Sequence, residues 1–99
     1  MMYHGITFDR DALAGFCQRY AIVRLSLFGS ILRTDFDAQS DIDILVEFSG
    51  PTPSLLQLGG MQVELSQLLG RSVDLKTWGF IADSLRPRIE RERKVAYAA

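Results

Sequence analysis

The feature that most constrains this chain is an apolar run over residues 22–28 that stops at Gly29-Ser30, followed by a second run over residues 41–48 that opens with Asp41-Ile42-Asp43. Apolar runs of that length, bounded by glycine and polar turn residues, predict buried strands. Gly29 can take backbone angles closed to other residues and lets a ligand approach the main chain. Ser30 is expected where a short helix begins, over residues 31–33. Unpaired N–H groups and the positive end of a helix dipole make such a place suitable for a phosphate. Arg33, one turn further, would face the same ligand and fork onto phosphate oxygens. Read alone, it is a surface arginine paired with Asp35 or Asp37.

The second run brings a different chemistry. Side chains alternate along a strand, so Asp41 and Asp43 share one face while Ile42 and Ile44 point into a core. Two neighbouring carboxylates repel, and each raises the other's pKa unless a cation sits between them. Oxygen-only ligands suit Mg²⁺ or Mn²⁺, ions held by one or two carboxylates together with substrate phosphates. A phosphate cradle and a metal seat thus lie about a dozen residues apart. Asp35 and Asp37 in the intervening turn are read as solvated.

Length allows one small domain over residues 1–99, and an apolar share of 47% marks it as globular. A net charge of −1 supplies no basic surplus, so direct nucleic-acid binding is not expected. The single cysteine fits a reducing cytosol, and no stretch approaches the roughly 18 apolar residues of a membrane span. The chain is therefore expected to be cytoplasmic and soluble.

In order, residues 8–20 predict a helix capped by Asp9 or Thr7, with Leu13, Phe16, Cys17 and Tyr20 on its inner face. Cys17 is read as a core thiol rather than a nucleophile, and His4 is given no role. Ser54 should cap a helix reaching residue 69 on an apolar face of Leu58, Met61, Leu65 and Leu68, with Gly70 just past its end. Gly59-Gly60 inside that helix predicts a kink or a close backbone neighbour. A strand over residues 72–77 follows. Trp78 is read as packing, residues 83–93 as a helix whose mixed charges are solvated, and residues 95–99 as a tail. The basic excess of that helix leaves open an acidic partner or RNA.

The joint pattern, Gly-Ser-x2-Arg-x6-Ser-Asp-x-Asp between apolar strands, resembles the nucleotidyltransferases of the DNA polymerase β-like superfamily. Within it, the chain resembles the minimal nucleotidyltransferase (MNT) antitoxins. Gly29, Ser30, Arg33, Asp41 and Asp43 match that pattern, and Asp74 stands where the family has a third carboxylate. Ile31 and Thr34 depart from residues common among such relatives. The implied fold is α/β (α+β), a small mixed sheet of three to four strands with helices packed on it. A crossover helix between the second and third strands makes them parallel neighbours, and a short connection makes the first antiparallel to the second. Gly29, Ser30, Asp41, Asp43 and Asp74 then meet at one sheet edge.

The resemblance implies transfer of AMP from ATP, with Asp41, Asp43 and Asp74 catalytic and holding two Mg²⁺ ions, or Mn²⁺. It makes Gly29, Ser30, Arg33 and Ser40 nucleotide-binding. Since 25 residues follow Asp74, the acceptor is expected to bring its own docking surface. The MNT antitoxins are paired with HEPN-domain RNase toxins, which points to a hetero-oligomer whose toxin is adenylylated on tyrosine. Two alternatives remain open: an antitoxin that acts by binding alone, and transfer to a small molecule or RNA.

Overall fold

A computed structural model describes residues 1–99. Four strands form the main sheet: β3 (Ile22–Phe28), β4 (Ile42–Phe48), β5 (Val73–Lys76) and β6 (Lys94–Ala98), in the order β5-β4-β3-β6. β3 runs antiparallel to β4 and β6, and β4 runs parallel to β5. Parallel neighbours need a crossover, and α2 (Leu55–Leu69) supplies it. Before the sheet come α1 (Arg10–Arg19) and a small hairpin, β1 (Met2–Tyr3) with β2 (Ile6–Thr7). The sheet therefore has the mixed topology expected, with a fourth strand where a tail was read.

One sheet face carries Leu25, Leu27, Ile42, Ile44 and Val46, all buried against Leu13, Phe16 and Cys17 of α1 and Leu58, Met61 and Leu65 of α2. Burial pushes the Cys17 thiol up to about 12, so it is an inert core group. Asp9 caps α1, accepting from the Asp11 N–H at 3.0 Å. On α2 the inward row differs from expectation at its end. Leu68 is 44% exposed, and Leu69 packs on the core instead. Eleven residues make roughly three turns, which puts Leu69 in line with Leu58.

Both ends of α2 are closed by local chemistry. Ser54 and Gln57 form a reciprocal capping box at 3.2 and 2.9 Å, and Gly70 adopts the left-handed conformation (φ 70°) that ends the helix. Between them α2 runs as a single helix, and neither Gly59 nor Gly60 has a close neighbour. The close backbone contact read from the sequence is absent. Gly59 instead lines a cavity described below, whereas nothing in the structure explains Gly60. α2 also covers the outer edge of β5: Val73 N–H donates to Ser66 Oγ (3.0 Å) and Leu75 N–H to Gln62 Oε1 (2.8 Å). Those donors would otherwise be left unpaired at a sheet edge.

The opposite face bears Ser26, Phe28, Asp43, Leu45 and Glu47. It is partly roofed by the segment after β5, with single 3-10 turns at Trp78–Phe80 and Asp83–Leu85 and then α3 (Arg86–Glu92). Pro87 lies in the first turn of α3, as the sequence indicates, and α3 itself is mostly solvated. Arg93, just beyond it, is not. Its side chain is 14% exposed, and the guanidinium donates to Glu47 Oε1 at 2.7 Å. Glu47 also accepts from the Trp78 indole N–H (3.3 Å), and the Arg86 guanidinium stacks 4.5 Å from the Trp78 ring. Trp78 thus anchors the roof to β4.

Replacing Ser54 by Ala removes half the capping box and is expected to cost about 1 kcal/mol. Urea denaturation of the two proteins measures it, and an unchanged midpoint would show that the cap contributes nothing.

Candidate active site

The candidate site lies where β3 ends and β4 and β5 begin. Phe28 is paired with Asp43, and Asp43 with Asp74, so three neighbouring strands deliver the Gly29 turn and two carboxylates to one edge. Asp41 stands exposed one residue before β4. Ile42 and Ile44 are fully buried beneath, which holds the acids on the outer face.

Gly29 opens a single 3-10 turn, Gly29–Leu32, at φ +74°. A Cβ on residue 29 would overlap Asp43 Oδ2, so only glycine fits both the angle and the space. The turn starts two residues earlier than the helix read from the sequence and ends at Leu32, so Arg33 lies just past it. Four residues carry little macrodipole, so the dipole contribution expected at Ser30 is small.

Arg33 is exposed and sits 3.4 Å from Asp35 Oδ1, the surface pairing that its neighbours suggest. Exposed pairs of this kind are worth about 0–1 kcal/mol, so the guanidinium is easily recruited elsewhere. Ser40 is turned into its own loop, where its hydroxyl donates to Asp37 Oδ1 (3.2 Å) and accepts from Asp37 N–H (3.1 Å). Ser30 is half-buried beside Gly29.

The carboxylates are coupled but not gathered. No three His, Cys, Asp or Glu side chains stand closely enough to hold a metal ion as they are. Asp74 Oδ2 instead accepts from Lys76 Nζ at 2.6 Å. Residues i and i+2 share a strand face, so Lys76 and Asp74 pair on the face that also carries Asp43. Asp43 is held above the usual carboxylate range, chiefly by burial. Lys76 opposes that shift, Asp74 and Asp41 reinforce it, and Arg33 opposes it. Lys76 is thus the cation that offsets the crowding of these acids in the structure.

Several residues around the site carried no sequence expectation. Arg71 donates to the carbonyls of Asp37 (2.8 Å) and Ser40 (2.7 Å), and its guanidinium lies 4.7 Å from the Phe36 ring, pinning the loop before Asp41. His4 stacks on Phe36 (4.8 Å) and donates from Nε2 to the Ile31 carbonyl (3.0 Å), tying the N-terminal hairpin to the Gly29 turn. A cavity of about 370 Å³ opens at Asp74 and Lys76 between Leu55, Gly59, Gln62 and the exposed Phe80. A smaller one, about 180 Å³, lies between Gly29, Arg33 and α3.

A glycine turn beside carboxylates on adjacent strands defines a phosphate-handling protein of the nucleotidyl-transfer class. The chain belongs to the nucleotidyltransferase domain family, whose model matches residues 10–97. A candidate protein adenylyltransferase of Methanocaldococcus jannaschii is 43% identical over 74 residues, 75% of this chain and 78% of that protein. Protein adenylyltransferase MntA of Thermococcus cleftensis is 33% identical over 75 residues, 76% of this chain and 75% of its own. Among solved structures, one described as a minimal nucleotidyltransferase superposes with a TM-score of 0.71 at 34% identity, covering 86% of each chain. The complex of a Shewanella oneidensis MNT antitoxin with its tri-AMPylated HEPN toxin superposes with a TM-score of 0.67 at 20% identity, over 91% of this chain and 70% of that one, a likeness of fold.

A carboxyl whose pKa is raised on folding favours the native state below its unfolded pKa, and that benefit is lost as pH rises through the folded value. Asp43→Asn is therefore expected to raise the melting temperature of the metal-free protein at pH 7. The advantage should shrink as pH falls below about 4, where Asp43 is protonated in both states. Melting curves across that range test it; a lower melting temperature at pH 7 would show that Asp43 is not in a like-charged, desolvated setting.

Proposed function

We propose that this chain is an adenylyltransferase antitoxin that transfers AMP from ATP to a hydroxyl of a HEPN-type toxin and so neutralises it. The observation that carries the reading is the contact between the Gly29 turn and the Asp43 carboxylate, with Asp74 in register on the next strand. The identity shared with MntA of Thermococcus cleftensis over three quarters of both chains supports it.

In this reading Asp41, Asp43 and Asp74 hold Mg²⁺, with Mn²⁺ as an alternative. Bound there, the ion neutralises phosphate charge and makes the acceptor hydroxyl more acidic. Lys76 leaves Asp74 and turns toward the incoming phosphates. The backbone N–H groups of the Gly29 turn and the Ser30 hydroxyl receive the β- and γ-phosphates, and Arg33 exchanges Asp35 for them. Ser40 swings out of its loop to join the nucleotide. The acceptor oxygen attacks the α-phosphorus as its proton passes to Asp74. A new P–O bond forms, the α–β bridge breaks, and pyrophosphate leaves. Fixing both phosphate groups beforehand sets the in-line geometry.

The acceptor approaches past Asp74, where the cavity between Leu55, Gly59 and Phe80 opens on an apolar surface suited to a folded partner. A lone, buried Cys17 suits a cytosolic site of action. The Asp74–Lys76 pair favours a second reading, a binding module whose acids need no metal.

Incubation with the partner toxin, Mg²⁺ and α-labelled ATP should move label to the toxin, and Asp43→Asn should lower the rate by about two orders of magnitude or more while the complex still forms. A stable complex with no label in the toxin would leave only the binding module. Retained transfer by Asp43→Asn would remove Asp43 from the chemistry.

A further inference from the structure

The charged residues of α3 are solvated, but two of them face the Gly29 turn. Arg88 and Glu92 line the cavity of about 180 Å³ whose other wall is Phe28, Gly29 and Arg33. Leu85 and Ile89 close its apolar side. Arg88 Nε lies 3.3 and 3.4 Å from the two Glu92 oxygens, one turn along the same helix. Both groups are more than half exposed, at 59% and 55%.

The cavity is thus flanked by two arginines in the same condition. Arg33 rests on Asp35 and Arg88 rests on Glu92, each in an exposed pair that costs little to break. A triphosphate brings about four negative charges; in the reading above the metal ion and Lys76 meet it from the carboxylate side, which leaves Ser30, Arg33 and the turn's N–H groups as the contacts on the side of this cavity. Apolar walls strengthen any charge contact made between them. The position of α3 is itself set: Arg86 stacks on Trp78, and Arg93 and Trp78 both bind Glu47 of β4. Arg88 is therefore presented by a held helix rather than by a loose tail.

We propose that Arg88 is a second phosphate-gripping arginine, closing on the terminal phosphates opposite Arg33, with Glu92 as the internal anion that occupies it until they arrive. This rests on the nucleotidyl-transfer reading, since it needs the triphosphate in the Gly29 cradle. It adds a positioning residue that the Gly-Ser and Asp-x-Asp pattern does not contain. Glu92 makes the grip competitive: the polyphosphate displaces one carboxylate from each arginine, and pyrophosphate release restores both pairs.

The test is calorimetric titration of the full chain with Mg²⁺ and inorganic tripolyphosphate, which isolates the phosphate contacts from base and acceptor. Arg88→Ala is expected to weaken binding about tenfold, the loss of one charge-assisted pair of contacts. Arg88→Lys should recover part of that loss, and Glu92→Gln should tighten binding several-fold. Arg91→Ala, on the same helix outside the cavity, should change it little. Trp78 emission, governed by the stacked Arg86, reports whether α3 keeps its place in each variant. Equal losses from Arg88→Ala and Arg91→Ala with unaltered emission would mean a general field effect and overturn the assignment. A large loss from Arg33→Ala with none from Arg88→Ala would overturn it while leaving the cradle intact. No binding by the unmodified chain would instead fail the cradle reading beneath it.

Discussion

The working edge of this protein depends on a carboxylate pressed against a backbone that has no side chain. Asp43 comes so close to Gly29 that any Cβ would strike it, and Gly29 holds the positive φ at which the chain leaves β3 for the 3-10 turn. Burial and two neighbouring acids then make the charge on Asp43 costly, with Lys76 as the nearest relief. The resting protein holds this arrangement because the cost is local and the core beneath, Ile42 and Ile44 against α1 and α2, is fully closed.

Much of this was legible in the residues. The strands β3 and β4, the crossover α2 with its Ser54 cap and Gly70 stop, and the pairing directions follow from periodicity and connection length, which are local properties. The side of β4 that carries Asp43 follows from alternation alone. Strand β6 did not, because Lys94–Ala98 is short and weakly patterned, and its extended state is imposed by the vacant edge of β3. The N-terminal hairpin left a faint signal in His4-Gly5, both at positive φ, a pairing that two-residue hairpin loops favour.

Among site residues the same division holds. Gly29 and Asp43 announce themselves by spacing, and Lys76 could have been found as the same-face partner of Asp74. Arg71, His4 and Arg88 act across 27 or more residues of sequence, through Ser40, Ile31 and the Gly29 cavity, and only the folded arrangement relates them. The short 3-10 turn is a further limit: helix propensity indicates that a turn will form but not that it stops after one, where Arg33 returns to extended backbone.

Strand β4 carries two anions on one face, Asp43 near its start and Glu47 four residues later, a separation of about 13 Å. The first borders the Gly29 turn and the second clasps Arg93 and the Trp78 indole. Reactive edge and roof helix therefore hang from a single rail, with no hinge between them. A load placed on the arginine-rich helix is therefore carried by the same beam that sets the carboxylate.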